Sequence, residues 1–217
     1  MKRKLLIILG ILVFVQGYHL FANSYDEKAD IEKRAEARKN ENYDRAIFAG
    51  GCFWCMQPPF DYTEGVITTI AGYSGGKEKD PTYKEVSHGK TGHAESVEVI
   101  YDPKIVSYDK LLEVYWMNID PTDAGGQFAD RGKQYRPAIF YLNEDQKKAA
   151  QASKEKLEES GKFDKPIVVE ITEATEFWDA EEYHQMFYKK NYTRYHSYKI
   201  GSGREGFIER HWHQPTN

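Results

Sequence analysis

The chain of 217 residues is long enough for one domain with its own hydrophobic core and needs no cross-links to hold it. With 40% hydrophobic and 29% charged residues it has a soluble protein's composition, and its 16 tyrosines suit a site that binds an apolar group with one polar handle. A formal net charge of −4 without any basic patch argues against a nucleic acid as partner.

Lys2, Arg3 and Lys4 precede an apolar run over residues 5–15, the pattern of an export signal. Small residues place a cut after Ala22 or after Ser24, and the rival reading is an uncleaved anchor that attaches the chain to a membrane through residues 5–22. Residues 1–24 are therefore expected to be a signal peptide or an N-terminal membrane anchor, with the remainder exported to a periplasmic or extracellular face. Residues 25–42 are mostly charged and small, with alternating signs. They read as a solvated helix or charged spacer that would hold the body off the membrane. Without internal repeats or a second domain, the body is expected over 43–203, followed by a tail, 204–217, that wraps the body or is partly loose.

Within the body, residues 45–49 read as a short strand ending in Gly50-Gly51. A helix starts near Cys52 and is cut short or kinked by Pro58 and Pro59. A strand over 66–73, a turn-rich loop past Pro81 and a helical segment over 83–87 follow. Residues 93–101 alternate as a strand, and 108–118 carry helical periodicity. After a Gly/Asp-rich loop over 121–137 come a strand over 138–142 and a helix capped by Asn143, stopped by Gly161. A strand over 167–172 and a last helix from Asp179 to about Tyr192 complete the pattern. Alternating strands and helices predict an α+β fold, a two-layer sandwich of helices packed on a mixed β-sheet.

The two cysteines, Cys52 and Cys55, lie three apart. A structural disulfide is the plain reading for an exported protein. It closes so small a ring that chain entropy gives it about 2 kcal/mol, against about 4.7 for a 100-residue loop. Reactivity explains the pair better. At a helix start, exposed N–H groups and the helix dipole are expected to lower the pKa of Cys52. Three chemistries then compete: metal binding, which would need His211 and His213 in a spacing that matches no zinc pattern; general thiol–disulfide exchange; and attack on an oxidised sulfur beside an apolar wall of Phe53 and Trp54. On the strand over 93–101, His93, Glu95, Val97, Val99 and Tyr101 share one mostly apolar face. Desolvation there would keep Glu95 protonated and able to act as an acid; the competing reading is a surface glutamate at a strand end.

The run Gly50-Gly51-Cys52-Phe53-Trp54-Cys55 resembles the signature of the A-type methionine sulfoxide reductases. Gly72-Tyr73-Ser74-Gly75-Gly76, Pro81-Thr82-Tyr83, Gly92-His93-Ala94-Glu95, Asp120-Pro121-Thr122, Gln127-Phe128-Ala129-Asp130-Arg131-Gly132, Gln134-Tyr135-Arg136 and Ala180-Glu181-Glu182-Tyr183-His184-Gln185 agree in order, over about residues 43–203. The resemblance implies the ferredoxin-like fold of that family and reduction of methionine S-sulfoxide, free or in oxidised peptides and proteins. It implies Cys52 as nucleophile, Glu95 as proton donor, Tyr83 and Tyr135 as hydroxyls on the sulfoxide oxygen, Phe53 and Trp54 around the S-methyl group, and Asp130 as a substrate-positioning residue. His184 reads as structural, in a helix. Many relatives carry the resolving cysteine in the C-terminal tail; the tail after Tyr198 has none here, so Cys55 is expected to take that role if any cysteine of the chain does. A thioredoxin-like dithiol is the expected reductant, no metal or organic cofactor is expected, and the protein is expected to be a monomer without action on the R epimer. The alternative activity is general thiol–disulfide oxidoreduction by the Cys52/Cys55 pair.

Overall fold

In the computed structural model, which describes residues 25–212, β1 (Asp44–Gly50), β2 (Val66–Ser74) and β3 (Ala94–Tyr101) form the middle of a six-stranded sheet. The expected signal or anchor at 1–24 lies outside the described residues, as do residues 213–217. β4 (Gly126–Gln127) and β5 (Asp130–Arg131) make a small antiparallel pair of their own. β6 (Pro137–Tyr141), β7 (Glu170–Glu173) and β8 (Trp178–Asp179) complete the main sheet in the order β7-β6-β1-β3-β2-β8. The β6–β7 pairing is parallel and the others antiparallel, so the sheet is mixed, as the alternation of elements predicts. The helices are α1 (Glu27–Lys39), α2 (Phe53–Asp61), α3 (Tyr83–Ser87), α4 (Tyr108–Met117), α5 (Glu144–Glu159), α6 (Phe187–Lys190), α7 (Tyr192–Gly201) and α8 (Arg204–Trp212). Asn143 caps α5 by accepting from the Gln146 amide at 2.9 Å, and Gly161 follows it at φ +64, as read from the sequence.

Register decides which side chains meet. Ala46 lies opposite Val99 and Phe48 opposite Val97, so these side chains share one face of the sheet. Phe53, Met56 and Phe60 of α2 and Leu111, Leu112 and Tyr115 of α4 close over that face. Phe48 stacks on Phe60 at 5.0 Å and on Tyr115 at 5.2 Å. Each such fully buried side chain contributes about 1.5–3 kcal/mol of transfer free energy. The opposite face packs Ile47, Ala49, Ala94, Ala138 and Phe140 together, with Ile70 and Ile100 meeting Ala37 of α1. Since β3 is covered on both faces, its polar residues Ser96 and Glu98 are buried too.

Three expectations change. Residues 25–42 are more than a spacer, because α1 lies within them and the body begins at Glu32. Ala37 is buried against the sheet, Arg34 donates to Glu182 at 2.6 Å, and Arg38 reaches both Glu98 at 2.7 Å and Asp179 at 2.6 Å. Composition hid this, since the docked stripe is one alanine and two arginines rather than an apolar face. Second, Pro58 and Pro59 lie inside α2, which continues to Asp61. They remove two N–H donors, but packing of Met56 and Phe60 on the sheet carries the helix through. Third, residues 182–186 form turns where a helix from Asp179 was predicted, and α6 starts only at Phe187. Side-chain amides capture the backbone there. Gln185 exchanges hydrogen bonds with both backbone groups of Ala71, at 2.9 and 2.8 Å, and Gln57 Oε1 accepts from the Met186 amide, whose φ is +48.

Glu98 has no exposed surface, and Arg38 and Arg45 supply its charge partners. Arg38→Ala leaves Oε2 of that carboxylate without its donor, so unfolding in urea should show a loss of about 2 kcal/mol. An unchanged midpoint would mean that Arg45 alone satisfies the buried charge.

Candidate functional site

β1 ends at Gly50-Gly51, and the chain must turn there in almost no space. A Cβ on Gly51 would lie 2.6 Å from Gln127 and 2.8 Å from Arg204, and its φ of +81 suits glycine. The turn delivers Cys52 as the N-cap of α2, with the Cys55 amide donating back to the Cys52 carbonyl at 3.0 Å. The first helical N–H, that of Phe53, has no partner within its own helix. Glu95 supplies one: its Oε2 accepts from Phe53 N at 3.1 Å. Glu95 can reach because β3 runs beside β1 and turns Glu95, Val97 and Val99 toward α2.

Burial sets the protonation states. Glu95 is 1% exposed, and desolvation pushes its carboxyl up from 4.5 to about 8, against the Phe53 N–H that favours the anion and with the nearby Asp130 charge adding to the rise. The Cys52 thiol, 7% exposed, is also pushed well up, first by burial and then by the charges of Glu95, Cys55 and Asp130. The expected lowering by the helix start does not occur. Cys52 lies under the same cover as two carboxyl groups, and one backbone hydrogen bond does not offset that. Burial raises Cys55 likewise, with the Arg204 guanidinium pulling against it. Both cysteines are free thiols.

The other residues singled out from the sequence gather around this pair. Tyr83 opens α3, with its amide held by Glu181 Oε1 at 2.9 Å, and Tyr135 ends a 3₁₀ turn over Lys133–Tyr135. Burial raises both phenols, Tyr83 to about 12, and Glu95, Cys52 and Asp130 act on each, which places all five groups in one neighbourhood. Asp130, on β5, accepts from the Tyr198 hydroxyl of α7, and burial raises its carboxyl. Phe53 is buried with its ring 6.4 Å from that of Tyr83, and the half-buried Trp54 stacks on Phe187 at 3.7 Å.

Two residues were not foreseen in this role. His184 sits in a turn rather than a helix, its Nδ1 accepting from Trp54 Nε1 at 3.0 Å and its ring 4.2 Å from that of Tyr83. Burial lowers its pKa to about 4, so it is neutral, with its proton on Nε2. Its place between Tyr183 and Phe187 was the available signal, and the helical reading of that segment obscured it. Arg204 belongs to the expected tail, yet it is 1% exposed and donates to the Gly50 carbonyl at 2.8 Å and to the Asn118 carbonyl. The tail thus enters the body, and an Arg-Glu pair set between Gly203 and Gly206 was a weak signal of it. No group of three or more His, Cys, Asp or Glu side chains able to hold a metal occurs among the described residues, and His213 lies outside them.

Comparison with known proteins agrees with this geometry. The family model described as peptide methionine sulfoxide reductase matches residues 44–216. The peptide methionine sulfoxide reductase MsrA of Bacillus pumilus is 57% identical over 173 residues, covering 80% of this chain and 97% of the relative. The protein of the same name from Bacillus velezensis is 55% identical, over 80% and 98%. Among solved structures, Mxr1 from Saccharomyces cerevisiae in reduced form is similar with a TM-score of 0.65 at 31% identity, covering 69% of this chain and 86% of that one. Methionine sulfoxide reductase A of Corynebacterium diphtheriae is similar with a TM-score of 0.62 at 32% identity, over 71% and 77%. A GGCFWC turn beside a buried carboxyl, and a family match that spans most of the chain, give one conclusion: this chain belongs to the peptide methionine sulfoxide reductases of the A type.

Proposed function

We propose that the chain reduces methionine S-sulfoxide, free or in peptides, with Cys52 as nucleophile and Glu95 as general acid. The observation that carries this reading is the 3.1 Å contact between Glu95 and the first N–H of the helix that Cys52 caps, which holds a protonated carboxyl beside the thiol. The Cys52 sulfur attacks the sulfoxide sulfur while Glu95 protonates the sulfoxide oxygen. That oxygen passes to Cys52 as a sulfenic acid and methionine leaves. The thiol proton returns to Glu95, so atoms and electrons balance. Tyr83 and Tyr135, un-ionised at neutral pH, donate to the sulfoxide oxygen, while Phe53 and Trp54 enclose the methyl group and Asp130 orients the substrate. Cys55 then attacks the sulfenic acid, water leaves, and a Cys52–Cys55 disulfide remains. Cys52 caps the helix and Cys55 lies in its first turn, with the Cys55 amide 3.0 Å from the Cys52 carbonyl, so an adjustment of that turn brings the two Cβ atoms to the roughly 3.8 Å a disulfide wants. A thioredoxin-like dithiol then reduces it by exchange. General thiol–disulfide oxidoreduction is disfavoured, because it gives Glu95 and the aromatic enclosure no task.

The basic start and apolar run of residues 1–24 support export of the body, by cleavage or anchoring. N-terminal sequencing of the mature protein should begin at Asn23 or Tyr25; an intact Met1 on membrane-bound protein would select the anchor, and an intact Met1 in the cytoplasm would refute export.

Single-turnover assays with separate sulfoxide epimers test the chemistry. The wild type should form methionine from the S epimer and not from the R epimer. Cys52→Ser should form none, and Glu95→Gln should be slower by roughly 100-fold or more. Methionine from Cys52→Ser, or a wild-type rate from Glu95→Gln, would remove that residue from the mechanism.

Glu95 also links folding to pH. In the folded chain its carboxyl keeps the proton up to about 8, whereas the unfolded chain releases it near the ordinary value of 4.5. Between these values the unfolded state binds fewer protons, so this group costs stability that grows as pH rises. Glu95→Gln removes that cost, so its melting temperature relative to wild type should climb from about pH 5 to about pH 8. A constant difference would show that Glu95 is already ionised in the folded protein.

A further inference from the structure

Arg204 is a buried cation with no carboxylate bonded to it, although the Asp130 carboxyl lies near enough for its charge to pull that group's pKa down. Its donors reach the Gly50 carbonyl at 2.8 Å, the Asn118 carbonyl and the Met56 sulfur at 3.4 Å, and its guanidinium lies 4.6 Å over the Phe128 ring. None of these partners carries a charge, and no ion pair joins Arg204 to a carboxylate among the described residues. A neutral amide could serve the Gly50 carbonyl at much lower desolvation cost, so a cation at this position asks for a negative charge to answer. Gly50 leads into the turn that carries Cys52, and Met56 follows Cys55, so the guanidinium lies under the stretch that holds both sulfurs.

We propose that Arg204 is a positioning residue for the resolving step: its guanidinium holds the Gly50 carbonyl behind Cys52 and stabilises the thiolate of Cys55 as it attacks the Cys52 sulfenic acid. This rests on the reading of Cys55 as the resolving thiol. A thiolate attacks faster than a thiol, and Cys55 is 2% exposed, where an anion is disfavoured. After burial, the charge of Arg204 is the largest influence on Cys55, and it favours the anion; Lys199 of α7 adds to it, while Asp130 and Glu95 oppose. Cys52 differs, because the charges acting on it, those of Glu95, Cys55 and Asp130, all oppose an anion. The field therefore singles out the second sulfur. In the step, the Cys55 sulfur forms the S–S bond and is oxidised, the S–OH bond of Cys52 breaks, and the proton given up by the Cys55 thiol leaves with the hydroxyl as water.

The test uses the full chain in single turnover with methionine S-sulfoxide, following methionine release and, by mass spectrometry, disulfide formation, for wild type, Arg204→Gln and Arg204→Lys. The readout is the ratio of the two rates across about pH 6 to about pH 9. In Arg204→Gln, which keeps an amide donor without the charge, the ratio should fall about tenfold or more at the low end and recover as pH rises and the thiolate forms unaided. Arg204→Lys should keep a ratio near that of wild type throughout. Equal loss in both steps, or a loss in Arg204→Lys as large at high pH as at low, overturns the proposal. Should the glutamine variant not fold, Arg204→Met, which keeps most of the volume without the charge, takes its place under the same expectations. A wild type that stops at the sulfenic acid with an unmodified Cys55 removes the reading of Cys55 and this proposal with it; a normal disulfide in the wild type with an unaltered ratio in Arg204→Gln removes only the role of Arg204.

Discussion

The hydrogen bond from Phe53 N to Glu95 joins the two halves of the site, and most of the neighbouring structure is needed to make it. A helix N-terminus leaves N–H groups without partners, and a carboxyl group brought there meets that need in the same place where Cys52 emerges. The bond requires β1 and β3 to be neighbours in the sheet, so that the start of α2 and the residue near the start of β3 come together. It also requires the Gly50-Gly51 turn, whose tight surroundings leave no space for side chains and direct the chain into the helix at Cys52. The same burial that brings the groups together sets their protonation, holding both the carboxyl and the thiol in their neutral forms.

A site assembled from buried acids has particular electrostatics. Burial raises Glu95, Asp130 and Cys52, the charge of Asp130 adds to the rise of Glu95 and Cys52, and the tyrosines around them are held un-ionised by burial and by those charges. The arrangement suits a reaction in which oxygen moves between two sulfur atoms with protons supplied on the spot and no net charge entering or leaving. The aromatic groups fit the same logic. Trp54 is fixed on one side by stacking with Phe187 and on its edge by the neutral His184, so the wall beside Cys52 is held in place before any substrate arrives.

The opposite face of the sheet solves a different problem. Glu98 stands in the middle strand of a sheet covered on both sides and is neutralised by Arg38 from α1 and Arg45 from β1. Its presence turns a segment with hardly any apolar residues into a docked helix, by ionic contacts rather than by an apolar stripe. Such contacts leave little periodic trace in a sequence, since the residues involved also populate solvated helices.

The order of the longer strands and helices from residue 44 to residue 161, the cap at Asn143, the strand carrying Glu95 and the turn before Cys52 were legible in the sequence, because each rests on local rules: alternation, capping and the conformational freedom of glycine. So were the residues around the two cysteines, through motifs that lie in order along the chain. Tertiary structure decided what depends on surroundings. It set the Cys52 thiol above its ordinary range, because burial and two nearby carboxyl groups outweigh a helix start. It made turns of residues 182–186, because Gln57 and Gln185 capture backbone groups that a helix would have used, and so placed His184 against Trp54. It brought Arg204 from the far end of the chain to the carbonyl of Gly50. Local sequence sets what a segment prefers; the charge and hydrogen-bonding environment of a buried atom is made by residues far along the chain, from Glu95 at Phe53 to Arg204 at Gly50, and that sum exists only once the chain has folded.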